Sequence, residues 1–188
     1  MAKDQRLAVV AQRDPNMQDP TGDDLWVFGY GSLMWNPACH CCDVAPALLH
    51  GYHRRFCLWT PLGRGSPEHP GLVLGLDRGG SCVGRVFRVE AEKAAETIEY
   101  LDAREMVTSV YRPVHGRARF GETHVQARCY IADRTHAQYA GKLSIPEQAR
   151  LVEGAVGQSG INREYVLNTV QHLEEIGIVD GPLHHLAE

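Results

Sequence analysis

The sequence predicts an α+β fold built on a small, mostly antiparallel β-sheet or barrel with helices beside it. Two observations carry this prediction. Apolar segments with alternating or β-branched residues run through most of the chain up to Ile131, and one segment of helical periodicity interrupts them. Two more helical segments follow towards the end of the chain. Because strands and helices do not alternate regularly, the pattern disfavours a doubly wound parallel sheet.

Size and composition fit one globular domain with short extensions. The chain has 188 residues, of which 44% are hydrophobic and 22% are charged, close to the average for globular proteins. We expect a partly ordered N-terminal arm at residues 1–24, a single domain at residues 25–180 and a C-terminal tail at residues 181–188.

Charge and hydropathy argue against several classes of function. The net charge is −4 and the chain has no basic run, which argues against binding to nucleic acid. No apolar stretch approaches the roughly 20 residues that cross a bilayer. The N-terminal residues also lack the apolar core of a secretory signal. We therefore expect a cytoplasmic protein that binds neither nucleic acid nor a membrane and whose six cysteines are reduced.

The first half of the chain is expected to form strands. They are Leu25–Phe28, Ala47–Thr60 with a break at Gly51, Leu72–Leu76 and Cys82–Val89. The segment Pro61–Gly71 is rich in glycine and proline and is expected to be a structured loop. The segment Asp77–Ser81 contains two adjacent glycines, which predict a turn that folds the last two strands into a hairpin.

The second half mixes helices and strands. Residues 90–104 carry apolar side chains at helical spacing, and residues 107–112, 114–120 and 124–131 are expected to be extended. Ser144 and Glu147 form the capping-box motif at the start of a helix that runs to about Val156. Asn162 is expected to cap a last helix over residues 163–176, which Gly177 ends. The apolar stripe of this helix, which includes Tyr165, is expected to face the core.

A glycine-rich turn follows the first strand. Gly29 and Gly31 flank Tyr30, and glycine permits backbone angles and close ligand approach that other residues do not. Outward-facing N–H groups in such a turn can hold a carboxylate or a phosphate. The spacing matches neither a dinucleotide fingerprint, nor a P-loop, nor a nucleophile elbow around Ser32. From spacing alone, a ligand-holding turn and a plain tight turn both remain open.

Glu105 is a candidate proton-transfer residue at the end of the first predicted helix. It lies between Arg104 and the apolar pair Met106-Val107. If these residues bury it, its pKa rises and the carboxylate can take and return a proton near neutrality. The alternative interpretation is an ion-paired residue at the protein surface.

Neither a metal site nor a protein nucleophile stands out. Cys39, His40, Cys41 and Cys42 are crowded into one segment, whereas structural zinc sites usually draw ligand pairs from two segments. Ordinary thiols are the favoured interpretation. Ser32 and the cysteines lack the linked histidine and aspartate of a triad. We therefore expect no metal. An enzymatic reaction without a protein nucleophile remains possible if one group of the substrate attacks another group of the same molecule.

Six motifs, taken in order, resemble the ChaC-type γ-glutamylcyclotransferases, which act on glutathione. They are VFGYGSLMWNP, GYHRRFCLWT, RGSPEHPGLVLGL, REMVTSVYRPV, YAGKLS and GINREYVLNTVQHLEEIG, and they span about Trp26 to Asp180. The resemblance implies a compact β-barrel with flanking helices, the γ-glutamylcyclotransferase-like fold. It also implies a lyase-type enzyme without a cofactor, which converts the small molecule glutathione to 5-oxoproline and Cys-Gly.

The resemblance further implies a catalytic residue and a substrate-holding loop. In the family, one glutamate that follows an arginine acts as general acid and base, and it maps onto Glu105. The loop that holds the γ-glutamyl group maps onto Tyr30, Gly31, Ser32 and Leu33.

A second loop and two tyrosines complete the implied site. The family's Arg-Gly-x-Pro loop maps onto Arg64 and Gly65, and it is expected to close over the substrate and to help select glutathione. Arg64 could pair with a carboxylate as a bidentate donor, or serve only the structure of the loop. Tyr111 and Tyr139 are candidate hydroxyl groups at the pocket, although each could equally be a core aromatic residue.

Two alternative functions remain open at the level of sequence. One is a non-catalytic module that binds a γ-glutamyl group or another small acid with the same glycine-rich turn. The other is a cyclotransferase with broader preference for γ-glutamyl-amino acids. A pure binder would need no carboxylate at Glu105, so this residue favours an enzyme.

Overall fold

The computed structural model describes residues 22–37 and 41–188. Residues 1–21, which make up most of the expected arm, lie outside the described residues. So do Cys39 and His40 of the cysteine-rich segment. Within the described ranges the chain forms a five-stranded barrel, four α-helices and a small two-stranded hairpin.

Five strands close into a barrel in the order β1-β3-β2-β4-β5. They are β1 (Leu25–Gly29), β2 (Asp43–Thr60), β3 (Gly71–Val89), β4 (Tyr111–Phe120) and β5 (Thr123–Ala132). Neighbours along this order pair antiparallel, and short parallel pairings of β5 with β1 and with β3 complete the closure. The predicted α+β fold with a mostly antiparallel barrel is confirmed.

The predicted hairpin around Asp77–Ser81 is wrong, because β3 runs through this segment without reversing. The residues before and after the segment pair with the same strand, β2. Gly79 and Gly80 have φ angles of 99° and 69°, and the register of β2 shifts between His50 and Tyr52 opposite them. The glycines therefore accommodate a bulge, which bends two long strands together.

Four α-helices and a small hairpin flank the barrel. The helices are α1 (Ala91–Glu105), α2 (Ile145–Val152), α3 (Asn162–Glu175) and α4 (Gly181–Ala187), and the hairpin is β6 (Val156–Gly157) with β7 (Gly160–Ile161). The capping box of Ser144 and Glu147 begins α2 as predicted. Helix α4, where a tail was expected, is capped by Asp180, whose side chain accepts a hydrogen bond from the Leu183 N–H.

Two helix boundaries differ from the prediction for identifiable reasons. Helix α2 ends at Val152 rather than near Val156, because Gly154 has a φ of 73° and leads the chain into β6. Asn162 does not cap α3. Its side-chain amide instead donates to the Leu72 carbonyl and accepts from the Leu72 N–H, so it ties α3 to the start of β3.

Extended structure before β4 was predicted from residue 107, but the strand starts later. Residues 107–110 form a turn in which Ser109 has a φ of 56°, and Val107 is 77% exposed. An exposed valine gains nothing from pairing in the sheet, so β4 begins only at Tyr111.

The main hydrophobic core fills the barrel and extends beneath α2, α3 and α4. Phe28, Leu49, Phe56 and Leu76 are almost fully buried inside it, and Val166, Leu173 and Leu183 bring the helices onto it. A second core lies under α1, around Leu101 and Val89. In the described part of the chain, no helix is both long and apolar enough to span a membrane. The carboxyl ends of β1 and α1 meet beside the main core, and the candidate site lies there.

Candidate active site

One pocket collects most of the residues that the sequence singled out. It occupies about 340 Å³ including its open mouth, and it is lined by Tyr30, Gly31, Ser32, Leu33, Leu74, Glu105, Tyr111, Tyr130 and Tyr165. Of the predicted site residues, the pocket contains the turn after β1, Glu105 and Tyr111. Arg64, Gly65 and Tyr139 do not line it.

The turn after β1 is a short 3₁₀ helix over Ser32–Met34. The Met34 N–H donates to the Gly31 carbonyl at 2.8 Å, and the Asn36 N–H donates to the Ser32 carbonyl at 2.8 Å. Neither turn glycine has a positive φ, and Gly31 has φ −135° and ψ −131°. Gly29 lies in a tightly packed position, since a β-carbon there would lie 3.0 Å from the Phe87 ring.

Glu105 is the last residue of α1, and its carboxylate faces this turn across the pocket. Its side chain is 17% exposed, and the Arg104 Nε atom lies 3.2 Å from its Oε1 atom. Burial raises the pKa of Glu105, and the Arg104 guanidinium opposes that rise. The geometry therefore gives a carboxylate that is more basic than an ordinary glutamate yet has a cation beside it.

Arg104 ties this carboxylate to the turn. Its two terminal nitrogens donate to the Ser32 Oγ atom and to the Asn36 carbonyl, both at 3.0 Å. One guanidinium therefore contacts Glu105 and both ends of the segment that begins at Ser32. A planar group with several donors can hold these partners at fixed positions relative to each other.

Four tyrosines form the walls of the pocket, and they are Tyr30, Tyr111, Tyr130 and Tyr165. Burial raises the pKa of Tyr30 and of Tyr111 well above the ordinary value, and it raises the pKa of Tyr165 to about 12. The Tyr111 hydroxyl donates to the Leu74 carbonyl at 2.6 Å. These phenols stay neutral at physiological pH, so they offer hydroxyl groups and ring faces without adding negative charge beside Glu105.

A buried ion pair lies next to the wall of the pocket that Tyr130 forms. Arg128, which is fully buried in β5, donates to Asp102 Oδ1 at 2.6 Å. The Tyr130 hydroxyl donates to the same oxygen at 2.7 Å. Asp102 lies one turn before Glu105 in α1, so the network anchors the end of this helix and one wall of the pocket to the barrel.

The ring of Tyr165 separates Arg64 from the pocket. Its guanidinium lies over the Tyr165 ring, 5.3 Å from the ring centroid. The loop that carries Arg64 is packed rather than free: a β-carbon on Gly65 would lie 2.1 Å from the Gly71 nitrogen, and the Gly63 carbonyl accepts from the Ser159 N–H of the β6–β7 hairpin. The loop is therefore a fixed rim beside the pocket in this structure.

Tyr139 belongs to another region of the barrel, which corrects its predicted place at the pocket. Its hydroxyl donates to Asp77 Oδ2 at 3.0 Å, where Arg55 and Arg134 also bind the Asp77 carboxylate. This cluster satisfies a buried acid. Burial raises the pKa of Asp77, but the hydrogen bonds from Arg134 and Tyr139 outweigh that effect, so the pKa lies below its usual value. The tyrosine that completes the pocket is Tyr165, which the sequence placed in an apolar helix stripe.

The described part of the cysteine-rich segment contributes no set of metal ligands. Among residues 22–37 and 41–188, no cluster of three or more histidine, cysteine or acidic side chains is arranged to hold a metal ion. Cys41 and Cys42 are free thiols away from the pocket.

Comparison with known proteins places the chain in one family. The family model described as ChaC-like protein matches residues 25–188. A protein of Escherichia coli strain K12 named glutathione-specific γ-glutamylcyclotransferase is 34% identical over 168 residues, which is 89% of this chain and 73% of that protein. A protein of the same name from Schizosaccharomyces pombe is 31% identical, over 85% of this chain and 88% of that protein.

Solved structures agree on the fold. A crystal structure of a γ-glutamyl cyclotransferase specific to glutathione from yeast, in its selenomethionine-labelled form, superimposes with a TM-score of 0.79 at 23% identity, and covers 88% of this chain and 94% of the other. A crystal structure of the yeast enzyme that is not described as selenomethionine-labelled superimposes with a TM-score of 0.75 at 25% identity. The barrel and its helices therefore have the architecture of the γ-glutamylcyclotransferases.

Proposed function

Because this chain belongs to the ChaC-like protein family, we propose that it is a glutathione-specific γ-glutamylcyclotransferase. It converts glutathione to 5-oxoproline and Cys-Gly, with Glu105 as general acid and base. The observation that carries the proposal is the partly buried carboxylate of Glu105, which faces the turn of Tyr30, Gly31, Ser32 and Leu33 across one pocket. The names of the related proteins supply the substrate.

The substrate provides its own nucleophile, so the protein has to hold it and move protons. The α-amine of the γ-glutamyl group attacks the γ-carbonyl carbon, and the new C–N bond closes a five-membered lactam. The bond from that carbon to the cysteinyl nitrogen then breaks. Holding an amine and a carbonyl in attack geometry gives effective molarities on the order of 10⁵ M or more in favourable cases.

Glu105 handles the proton in both halves of this reaction. An ammonium group cannot attack, so the carboxylate first takes a proton from the substrate amine. The same group then gives that proton to the departing cysteinyl nitrogen. As the bond breaks, it takes the second proton that the attacking nitrogen must lose to become the lactam N–H and passes it to the amine of Cys-Gly, which leaves as an ammonium group. The burial that raises the pKa of Glu105 makes the carboxylate a better base for the first step. The neighbouring Arg104 stabilises its charged form between turnovers.

The turn after β1 and the tyrosine walls are proposed to bind the γ-glutamyl end. The turn offers backbone N–H groups at the pocket surface, and such groups bind carboxylates. Both phenols, Tyr30 and Tyr111, are neutral. The Tyr30 hydroxyl can donate a hydrogen bond to the γ-carbonyl oxygen, whereas the Tyr111 hydroxyl donates to the Leu74 carbonyl and can accept a hydrogen bond from the amine. These contacts exclude water from the reacting atoms, which strengthens each electrostatic interaction.

Arg64 and Gly65 are proposed to bind the far end of the tripeptide. Among the described residues the Arg64 guanidinium has no carboxylate partner within ion-pair distance, and it lies over Tyr165, a wall of the pocket. Glutathione carries a glycyl carboxylate at that end, which a guanidinium can bind as a bidentate partner. Gly65 lets the rim pack closely enough to keep Arg64 there.

The test is an assay of the purified chain with reduced glutathione, in which 5-oxoproline and Cys-Gly are both measured. γ-Glutamyl-alanine and oxidised glutathione are run beside it. We expect product from reduced glutathione alone. Product from γ-glutamyl-alanine would assign a broader cyclotransferase, and bound glutathione without any product would assign a binding module.

A cytoplasmic location is part of the same proposal. The five cysteines that the structure describes are all free thiols, as expected for a protein kept in a reducing compartment. Measuring the thiol content of the protein isolated from cells under alkylating conditions would test this, because disulfides at these positions would contradict it.

A further inference from the structure

Arg54 is a buried guanidinium that the proposed reaction does not use. It lies on β2, where Tyr52, Arg54 and Phe56 alternate, and its side chain is only 2% exposed. Alternation places Arg54 on the same face of the strand as Phe56, which is inside the main core. A charge at such a position is retained only if its hydrogen bonds are satisfied.

The partners of Arg54 come from three separate parts of the chain. Its Nε atom donates to the Tyr30 carbonyl at 2.5 Å, at the start of the turn that lines the pocket. Its terminal nitrogens donate to the Val83 carbonyl of β3 at 2.7 Å and to Asp180 Oδ2 at 3.0 Å. The Met34 sulfur lies 4.0 Å from one of them, at the other end of the 3₁₀ helix.

Asp180 connects this guanidinium to the C-terminal helix. Its second carboxylate oxygen accepts from the Leu183 N–H at the start of α4, and Leu183 is buried in the main core. The carboxylate therefore both begins α4 and neutralises Arg54. The last part of the chain reaches the back of the substrate-binding turn through these two side chains.

We propose that Arg54 is a positioning residue for the turn of Tyr30–Leu33, and that Asp180 and α4 hold it in place. This proposal rests on the proposed function for its effect on activity. The fork of one guanidinium fixes the Tyr30 carbonyl relative to β3 and to α4, so the N–H groups that follow are presented to the substrate at fixed positions. A lysine at this position keeps the charge but cannot reach all three acceptors, because its single nitrogen lacks the planar fork.

The test compares Arg54→Lys with Arg55→Lys in the full chain. Arg55 is the matched control, because it is the next residue, forms an ion pair with buried Asp77 and does not contact the turn. Both variants are expected to have a lower Tm. At a temperature at which circular dichroism shows all proteins folded, Arg54→Lys is expected to raise KM for glutathione and to lower kcat/KM at least about tenfold. Arg55→Lys is expected to keep kcat/KM within about twofold.

A second measurement reports how well ordered the turn is in the absence of substrate. The N–H groups of Met34 and Asn36 donate within the turn, so their hydrogen exchange reports its order. We expect faster exchange in the peptide over residues 30–36 for Arg54→Lys and for Asp180→Asn, and wild-type exchange for Arg55→Lys. If the wild-type protein has no turnover, the proposed function fails and this exchange alone decides the positioning role. Unchanged exchange in Arg54→Lys, or faster exchange with unchanged kcat/KM, would overturn it.

Discussion

Replacing Glu105 with glutamine tests the proposed chemistry with little disturbance of the pocket. Glutamine has nearly the same volume as glutamate and keeps one oxygen that can face Arg104, but it cannot take a proton from an ammonium group. Arg104 also retains its bonds to the Ser32 hydroxyl and the Asn36 carbonyl. The substrate-binding turn should therefore stay in place while the acid–base function is lost.

The expected loss follows from the number of proton transfers that Glu105 performs. General acid or base catalysis by one positioned group contributes about 10²- to 10⁴-fold. Because Glu105 acts in both steps, we expect kcat to fall by about 10⁴-fold, which corresponds to roughly 5.5 kcal/mol of activation free energy. KM should change by less than about threefold, because the binding contacts remain.

The stability of the variant should be close to that of the wild type. The Glu105 and Arg104 side chains are 17% and 23% exposed, and partly solvated ion pairs contribute about 0–1 kcal/mol. Removing the carboxylate also removes the cost of burying its charge, which offsets part of that loss. A net change within about 1 kcal/mol shifts the Tm of a domain of this size by about 2–4 °C.

The assay measures 5-oxoproline and Cys-Gly together, over incubations long enough to detect the residual rate. Glu99→Gln is the matched control, because it makes the same chemical change on the exposed side of α1. It should retain wild-type kcat and KM. Turnover of Glu105→Gln at more than about a tenth of the wild-type kcat would show that another group moves the proton, since that loss is below the range for a general base.

Three further predictions concern pH, glycine packing and the rim of the pocket. Because the active base is the ionised carboxylate and burial raises the pKa of Glu105, kcat/KM should fall with decreasing pH at values above 4.5, the ordinary value, and Arg104→Gln should move that limb to still higher pH. Gly65→Ala should lower stability by about 1–3 kcal/mol in urea unfolding, because its β-carbon would lie 2.1 Å from a backbone nitrogen. Gly31→Ala, with its nearest contact at 3.6 Å, should leave the unfolding free energy within about 1 kcal/mol of wild type but raise KM. Arg64→Gln should raise KM for glutathione at least about tenfold, whereas Tyr139→Phe should leave kinetics unchanged, and equal kinetics for both would remove Arg64 from the site.

The raised pKa of Glu105 also determines how the stability of the protein depends on pH. A group whose pKa is higher in the folded than in the unfolded protein contributes stability that is present below the unfolded pKa. That contribution is lost as the pH rises through the folded pKa. The wild type should therefore lose stability relative to Glu105→Gln as the pH rises above 4.5. Urea unfolding of both proteins across this range measures the difference.

The fold was predictable to the extent that local patterns determine it. Alternation and helical periodicity located the strands and helices, because burial on one face imposes those periods. The continuous strand β3 was missed because a glycine pair permits either a turn or a bulge, and pairing with β2 decides between them. The helix over Gly181–Ala187 was missed because its stability depends on Leu183 entering a core formed by distant segments.

The site was predictable only as far as a motif supplied it. Glu105 and the turn after β1 lie far apart in sequence, and only the resemblance joined them before the structure did. Tyr165 was placed in the core because it shares the apolar stripe of α3, and nothing local distinguishes a tyrosine that lines a pocket from one that fills a core. Tyr139 failed for the same reason in the opposite direction, because its hydroxyl satisfies Asp77 rather than a substrate.

The pocket meets two demands on Glu105 that pull its pKa in opposite directions. A base must be ionised when the substrate arrives, yet it must be basic enough to take a proton from an amine and acidic enough, once protonated, to release it to the leaving nitrogen. Burial among neutral tyrosines raises the pKa, and one guanidinium limits that rise. This guanidinium also binds Ser32 and Asn36, so it is shared among three partners. The same contacts hold the turn that binds the substrate, so Arg104 links the position of the turn to the basicity of Glu105.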